Sequence, residues 1–184
     1  MRYYFIMSGH SHWAGIKHQK EITDKKRGVV FSKLLMAVSA AAKVESDVNF
    51  NPRLRTAVET AKENNVPAEN IARAIKRAKE SAEGVEELFF EGYGPAGVGI
   101  LIYVITSNSN RAVSEIKSVL TKAGGRWADP GSVKWAFAIP KILSGEWTPK
   151  HSISISEEDA KKLESIINAL ESHDDVQKIF TNAE

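Results

Sequence analysis

The sequence predicts an α+β fold, in which an N-terminal domain of three helices precedes a ferredoxin-like α/β sandwich with two helices on a mostly antiparallel sheet. Two observations lead to this prediction. Apolar residues recur every three to four positions between residues 29 and 80, whereas short β-type segments bounded by turns dominate from residue 84 onwards. The boundaries that we expect are a basic N-terminal arm over residues 1–28, a three-helix basic domain over 29–82 and a sandwich domain over 83–184.

Three helices are predicted in the first half of the chain. The first begins at Val29, because apolar residues then recur on one face as far as Ala42. Asn51 and Pro52 begin the second, since Asn is a favoured cap and Pro suits the first helical position. Pro67 opens the third. These segments are short, and the core that they enclose is expected to be small.

Strands dominate the second half of the chain. The predicted order is a hairpin of strands 88–93 and 98–106, a helix capped within residues 107–110, strands 132–139 and 151–155, a helix opened by the capping box 156–159, and a closing strand 176–180. This order places two helices on one face of a sheet.

The composition excludes several classes of protein. Cysteine is absent, which removes disulfides, thiolate catalysis and every zinc site built on Cys. No apolar run approaches the roughly 20 residues of a membrane span, and the N-terminus lacks the apolar core of a signal peptide. We therefore expect a cytoplasmic protein without a membrane partner.

The net charge of +2 conceals an asymmetry between the two halves. Residues 1–80 contain 15 Lys+Arg and 8 Asp+Glu, a balance of +7, whereas residues 81–184 contain 10 Lys+Arg and 15 Asp+Glu, a balance of −5. This division indicates that the first half meets a polyanion.

Nucleic acid is the polyanion that the basic half is expected to bind. Lys25, Lys26 and Arg27 lie near a helix N-terminus, where the helix dipole disfavours cations, so phosphate contact explains them better than local stability does. A solvated helix face is the alternative for each cation taken singly. The residues expected to contact nucleic acid are His10, His12, Trp13, Lys17, His18, Lys20, Lys25, Lys26, Arg27, Lys33, Arg53, Arg55, Arg73, Lys76 and Arg77.

The three histidines of the arm and Trp13 have two interpretations besides ordinary loop packing. Their rings could stack on exposed bases. The histidines could instead bind a metal, but they lack regular ligand spacing and a nearby carboxylate, so no metal site is predicted.

Signs of catalysis are weak, and we predict neither an enzyme nor a cofactor or small-molecule substrate. A G-x-G-x-x-G string at residues 92–97 is followed by a strand rather than the helix that a dinucleotide site requires. The remaining possibility is a small hydrolase that uses Glu91 and Asp129 as paired carboxylates, although no nucleophile–base pair accompanies them.

Several motifs occur in order along nearly the whole chain: Ser8–His18, Lys26–Gly28, Phe31–Leu34, Asn51–Arg55, Val66–Pro67 with Asn70–Ile71 and Ala74–Lys76, Glu91–Pro95, Asn110–Arg111, Gly131–Trp135, and Leu170 through Asp175–Gln177 to Asn182–Ala183. Together they resemble the YebC/PmpR family, which includes the mitochondrial translational activator of cytochrome oxidase subunit I.

The resemblance implies a cytoplasmic, non-enzymatic regulator of gene expression, commonly described as a DNA-binding transcriptional regulatory protein. Some members resemble ribosome-associated translation factors instead, and this is the alternative: binding to ribosomal RNA and relief of stalling at difficult nascent sequences such as proline runs. Typical members carry a further small α/β domain after the strand at Trp135–Phe137. Only residues 138–147 follow that strand before the closing region here, so the resemblance implies that the third domain is missing.

Overall fold

The computed structural model of the chain describes residues 24–80, 84–140 and 145–184. In chain order, the elements are α1 (Asp24–Ala42), α2 (Pro52–Glu63), α3 (Ala68–Glu80), β1 (Glu86–Tyr93), β2 (Gly99–Thr106), α4 (Ser109–Lys122), β3 (Arg126–Ala128), β4 (Phe137–Ala138), β5 (Thr148–Pro149), α5 (Glu157–Glu171) and β6 (Val176–Thr181). The predicted α+β class is confirmed. None of the helices in these described ranges combines the length and apolarity of a membrane span.

Helix α1 includes Asp24, five residues before the predicted start at Val29. The prediction relied on an apolar period, and the first turn has none because Arg27 and Gly28 face solvent. Lys and Arg are good helix formers, so this turn can be helical without an apolar period. The cations that were assigned to the arm at residues 25–27 therefore belong to the helix.

The junction between α1 and α2 is held by Asn51, which is buried. Its side-chain oxygen accepts a hydrogen bond from Leu54 N at 3.0 Å, as predicted for a helix cap. Its side-chain nitrogen donates to Ala41 O at 2.8 Å and to Glu45 O at 2.6 Å. One residue thus starts α2 and ties it to the end of α1.

A four-stranded antiparallel sheet, in the order β3-β1-β2-β6, forms the centre of the second half. Alternate residues of β2 point to opposite faces of the sheet. Ile100, Ile102 and Val104 pack with α4 and α5, whereas Leu101 and Ile105 belong to a separate core on the other face. The predicted hairpin, the helices α4 and α5 and the closing strand are all confirmed.

The second face of the sheet is covered by parts of both halves of the chain. Phe137 and Trp147, in and beside the small ribbon of β4 and β5, are buried there. Ala40 of α1 is buried in the same cluster, and Met36 and Ala37 pack against it. Helix α1 also gives Val38, Ala41 and Ala42 to the three-helix core, so it serves two cores.

Two predicted strands are largely wrong. Of residues 132–139, only Phe137–Ala138 forms a strand, because the preceding amides donate to a buried side chain instead of a neighbouring strand. Of residues 151–155, only Ile153 makes a bridge, with Ala183. The short edge strand β3 was not predicted at all; its three residues are too few to show a period.

Candidate nucleic-acid interface

The outer face of α3 presents the clearest group of cations in the described residues. Arg73, Lys76 and Arg77 lie at spacings of three and four residues, so they share one exposed face of the helix. Ile71 is buried on the opposite side, and Ala74, Ile75 and Ala78 pack against the same core. The apolar side of α3 thus fixes the direction in which its cations project; these three are among the predicted contacts. 

Two of these cations have acidic neighbours on the same helix. Arg73 lies 2.9 Å from Glu69, and Lys76 lies 3.9 Å from Glu80. The Arg73 and Lys76 side chains remain 53% and 72% exposed, so these are surface pairs that contribute about 0–1 kcal/mol at most. A phosphate could therefore replace either carboxylate at little cost.

The first turn of α1 contributes Arg27, which is exposed. Lys25 and Lys26 belong to the same turn. The other predicted contacts of the arm, namely His10, His12, Trp13, Lys17, His18 and Lys20, lie outside the described residues.

Arg55 is exposed but already has a local role. Its guanidinium donates to Asn49 O at 2.9 Å and to Val48 O at 3.3 Å. These bonds hold the loop that leads into α2. A phosphate contact by Arg55 would use only the part of the guanidinium that the loop leaves open.

Lys33 is placed differently from the prediction, because it is 6% exposed and its ammonium group points into the protein. Its Nζ donates to Glu171 O at 2.6 Å, at the end of α5. Burial lowers the pKa of Lys33 to about 8, although the nearby carboxylates of Glu171 and Asp174 oppose the shift. Lys33 therefore connects α1 to α5, and we leave it out of the interface.

Arg53 likewise connects the two halves of the chain. Its guanidinium forms a bidentate contact with the Glu87 carboxylate of β1, at 2.8 and 2.7 Å, and a 3.3 Å hydrogen bond with the Tyr103 hydroxyl of β2. Tyr103 also donates a short hydrogen bond to Glu87. We leave Arg53 out of the interface as well, since its guanidinium is engaged with the sheet.

These contacts shift the ionisation of all three groups. Burial favours neutral Glu87, but hydrogen bonds from Arg53 and Tyr103 outweigh it, so the pKa of Glu87 falls below its ordinary value. The bond to Glu87 raises the pKa of Arg53, and burial together with that carboxylate raises the pKa of Tyr103. The network is thus an ion pair with a neutral phenol at neutral pH.

The charge division found in the whole chain persists in the described residues. Residues 24–80 contain 12 Lys+Arg and 7 Asp+Glu, whereas the described residues from 84 onwards contain 9 Lys+Arg and 14 Asp+Glu. The balances are +5 and −5. The helical part is therefore the part that attracts a polyanion.

Two cations near this surface were not among the predicted contacts. Lys79 is exposed on α3. Lys43, at the end of α1, lines a cleft of about 420 Å³ together with Arg77 and Glu80. Lys79 follows Lys76 at a spacing of three residues, so the sequence could have placed it on the same face of α3. The position of Lys43 depends on how α1 and α3 pack, which the sequence does not show.

Glu91 has a structural role that excludes it from the hypothetical hydrolase site. It is 4% exposed, and its carboxylate accepts hydrogen bonds from the backbone nitrogens of Gly131, Val133 and Lys134 at 2.7, 2.5 and 2.9 Å. Asp129 is exposed and is not joined to it. The G-x-G-x-x-G string over residues 92–97 forms the hairpin turn, as predicted, with Gly94 N donating to Val98 O at 2.8 Å.

Models of known protein families match both parts of the chain. Residues 11–81 match the family model described as the TACO1/YebC protein N-terminal domain. Residues 85–144 and 138–183 match the model described as the TACO1/YebC second and third domain. Both halves of the chain thus match models of one family.

Three relatives illustrate the similarity. The probable transcriptional regulatory protein Acid345_2125 of Koribacter versatilis is 54% identical over 134 residues, which cover 72% of this chain but only 54% of that protein. A probable transcriptional regulatory protein of Pelodictyon phaeoclathratiforme is 34% identical over 239 residues, covering 97% of this chain and 96% of that one. The crystal structure of the conserved hypothetical protein Aq1575 from Aquifex aeolicus is 33% identical with a TM-score of 0.83, covering 95% of this chain and 97% of that one.

The alignment with a full-length relative is longer than this chain, so it contains gaps opposite residues of the relative. The alignment with the Pelodictyon protein has 239 positions, at least 55 more than the 184 residues of this chain. The two segments that match the second family model meet at residues 138–144. The matched segments together cover residues 11–81 and 85–183. The chain therefore belongs to the TACO1/YebC family.

Proposed function

We propose that this chain is a DNA-binding regulator of transcription, and that the exposed cations of α3, together with the cations of the first turn of α1, contact the phosphate backbone. The shared exposed face of Arg73, Lys76 and Arg77 is the observation that carries the proposal. The names of the relatives, probable transcriptional regulatory proteins, support the biological role. We also propose that the protein acts in the cytoplasm and without catalysis.

Phosphate contact accounts for the kind of residues on this surface. Lysine and arginine supply charge and hydrogen-bond donors, which orient a protein on nucleic acid without reading its sequence. Each neutralised phosphate releases condensed counterions, so affinity falls steeply with salt. The arm adds further predicted contacts, which include His12, Trp13 and His18.

Binding to a DNA duplex over a salt series tests the proposal. The variant R73Q/K76Q/R77Q should weaken binding and reduce the slope of log affinity against log salt by about 2.7, since each phosphate contact contributes about 0.9. A matched control, K117Q/K122Q/K161Q, removes three exposed cations from α4 and α5 and should keep the wild-type slope. Equal slopes for wild type and the α3 variant would contradict the proposal.

Ribosomal RNA presents the same phosphate chemistry, so a second experiment separates it from DNA. Cell lysate is sedimented through a sucrose gradient at near-physiological salt, with and without RNase. We expect the protein to remain at the top of the gradient. Co-migration with ribosomes that survives moderate salt and is lost after RNase would overturn the transcriptional role in favour of a translation factor.

A further inference from the structure

Trp135 is unusual among the tryptophans of the described residues. Trp147 is buried and Trp127 is half-buried, whereas Trp135 is 65% exposed. An exposed indole leaves a large apolar surface in water and forgoes the stabilisation that burial would give. It contributes to neither of the two cores of the sandwich, so stability of the fold does not account for its exposure.

The indole is nevertheless held in place. Its Nε1 donates a hydrogen bond to Ser132 O at 2.8 Å, and that oxygen also accepts from the Tyr93 hydroxyl at 2.8 Å. The Trp135 backbone oxygen accepts from Lys150 Nζ at 3.0 Å. The single polar atom of the side chain is therefore used internally, and the exposed part is carbon surface.

The segment that carries Trp135 is held in place by hydrogen bonds to a buried side chain. The buried Glu91 carboxylate binds the backbone nitrogens of residues 131, 133 and 134, directly before Trp135. Val133 and Ala136, two residues before and one residue after, are 2% and 6% exposed. Much of the entropy of ordering this aromatic platform is thus lost on folding rather than on binding.

Positive charge accompanies the platform. Lys150 reaches the Trp135 backbone, and Lys134 is its neighbour in the chain. The Lys134 ammonium instead lies over two rings of the core, 5.0 Å from the Phe89 ring centre and 5.1 Å from that of Trp147, so Lys150 is the cation that contacts Trp135. A fixed aromatic face beside a cation is the combination that binds single strands, in which bases stack on rings and phosphates meet ammonium groups.

We propose that Trp135 is a stacking platform for an unpaired base of a single-stranded nucleic acid, with Lys150 beside it for the adjacent phosphate. This inference extends the proposed nucleic-acid function and rests on it. It adds a second contact on the sandwich, separate from the cations of α3. A duplex keeps its bases stacked on one another, so this site discriminates between single and double strands.

The test measures the affinity of the full chain for a 12-nucleotide single strand and for a duplex of the same length. W135A should lose about 5- to 150-fold in affinity for the single strand, the range expected for one stacked base, and nothing for the duplex. W135F keeps an aromatic face and should retain most of the affinity. I139A removes a nearby apolar side chain that is 74% exposed and serves as the matched control.

The quenching of tryptophan emission during the same titration gives a second readout. Wild type should show a quench that W135A loses, because a stacked base deactivates the indole. Equal affinity of wild type and W135A for the single strand would overturn the inference, as would an equal loss on both nucleic acids. The inference would also be overturned if the wild-type protein did not bind the single strand. A change in oligomeric state as the only effect of W135A would overturn it too.

The α3 variant R73Q/K76Q/R77Q separates this result from failure of the proposed function. If that variant loses duplex binding while W135A behaves as wild type, the stacking site is refuted and the phosphate interface stands. If both variants bind as wild type does, both proposals fail. W135F provides a folded comparison should W135A lower the unfolding midpoint.

Discussion

Replacing Lys33 by methionine is expected to remove a rise in stability that the wild-type protein shows between about pH 7.5 and 10. Lys33 is 6% exposed and donates to Glu171 O at the end of α5. Burial lowers its pKa from 10.5 to about 8. Methionine has a similar length and no charge, so K33M removes the titration while filling much of the same space.

The sign of the effect follows from proton binding. Between pH 8 and 10.5 the unfolded chain keeps a proton on Lys33 that the folded protein has lost. Unfolding then takes up a proton, so the free energy of unfolding rises with pH in this window. The full shift corresponds to about 3 kcal/mol, and the part between pH 7.5 and 10 is about 2 kcal/mol.

Other groups limit the useful range of pH. Burial and the bond to Glu87 raise the pKa of Tyr103, so deprotonation of the unfolded tyrosine lowers stability above about pH 10. Burial also lowers the pKa of Lys178. Both groups are present in wild type and in K33M, and their contributions cancel when the two profiles are subtracted.

Urea unfolding at pH 7.5, 8.5, 9.25 and 10 measures the difference. The free energy of unfolding of wild type should gain about 2 kcal/mol relative to K33M across the series. K43M, which removes an exposed lysine directly after the same helix, should run parallel to wild type. Parallel profiles for wild type and K33M would refute the argument, because they would show that the ammonium group is not desolvated in the folded protein.

Two further predictions concern the buried polar contacts. A double-mutant cycle with R53A and E87Q should give a coupling of about 1.5–3 kcal/mol in urea unfolding; because the pKa of Glu87 is lowered in the folded protein, this coupling should be present at neutral pH and fade as acid protonates the carboxylate. Additive effects at neutral pH would contradict it. E91A should lower the free energy of unfolding by at least about 3 kcal/mol, because three backbone N–H groups lose their acceptor. E91Q should recover little of this stability, since the amide nitrogen of glutamine cannot accept a hydrogen bond. A loss below about 1 kcal/mol for E91A would contradict the prediction, because it would show that water replaces the carboxylate.

Local rules account for the elements that could be predicted. Asn51 and Ser156 cap helices through their own side chains, which accept from nitrogens three residues later. The turn over residues 94–97 joins two strands that are adjacent in the sheet. Such contacts involve neighbours in the chain, so residue type and spacing are sufficient to find them.

The roles of the buried polar residues could not be predicted in this way. Lys33 and Glu171 are separated by 138 positions, and Arg53 and Glu87 by 34. The local sequence does not distinguish a lysine that faces solvent from one that is buried against a helix distant in the chain. Only packing decides which cations of a basic segment remain available to phosphate, and here it removes two of the predicted contacts.

One signal of this packing was present in the sequence. Helix α1 carries Met36, Ala37 and Ala40 outside the stripe that faces α2 and α3, and these residues contact the sheet. A helix that is apolar on more than one side is buried on more than one side. The apolar residues on a second side of α1 therefore indicated that the helix packs against a second structural element, which is the sheet.

The shared use of α1 has a consequence for how the interface works. Leu101, Tyr103 and Ile105 are nearly inaccessible in a core to which α1 contributes Ala40. A fragment without the three helices would expose part of this apolar face and would lose the contacts of Lys33 and Arg53. Because these contacts fix the helices on the sheet, the position of the α3 cations relative to the sandwich, which carries Trp135, is set on folding. Binding experiments with either half alone would disturb that geometry, so affinity differences have meaning only for the whole chain.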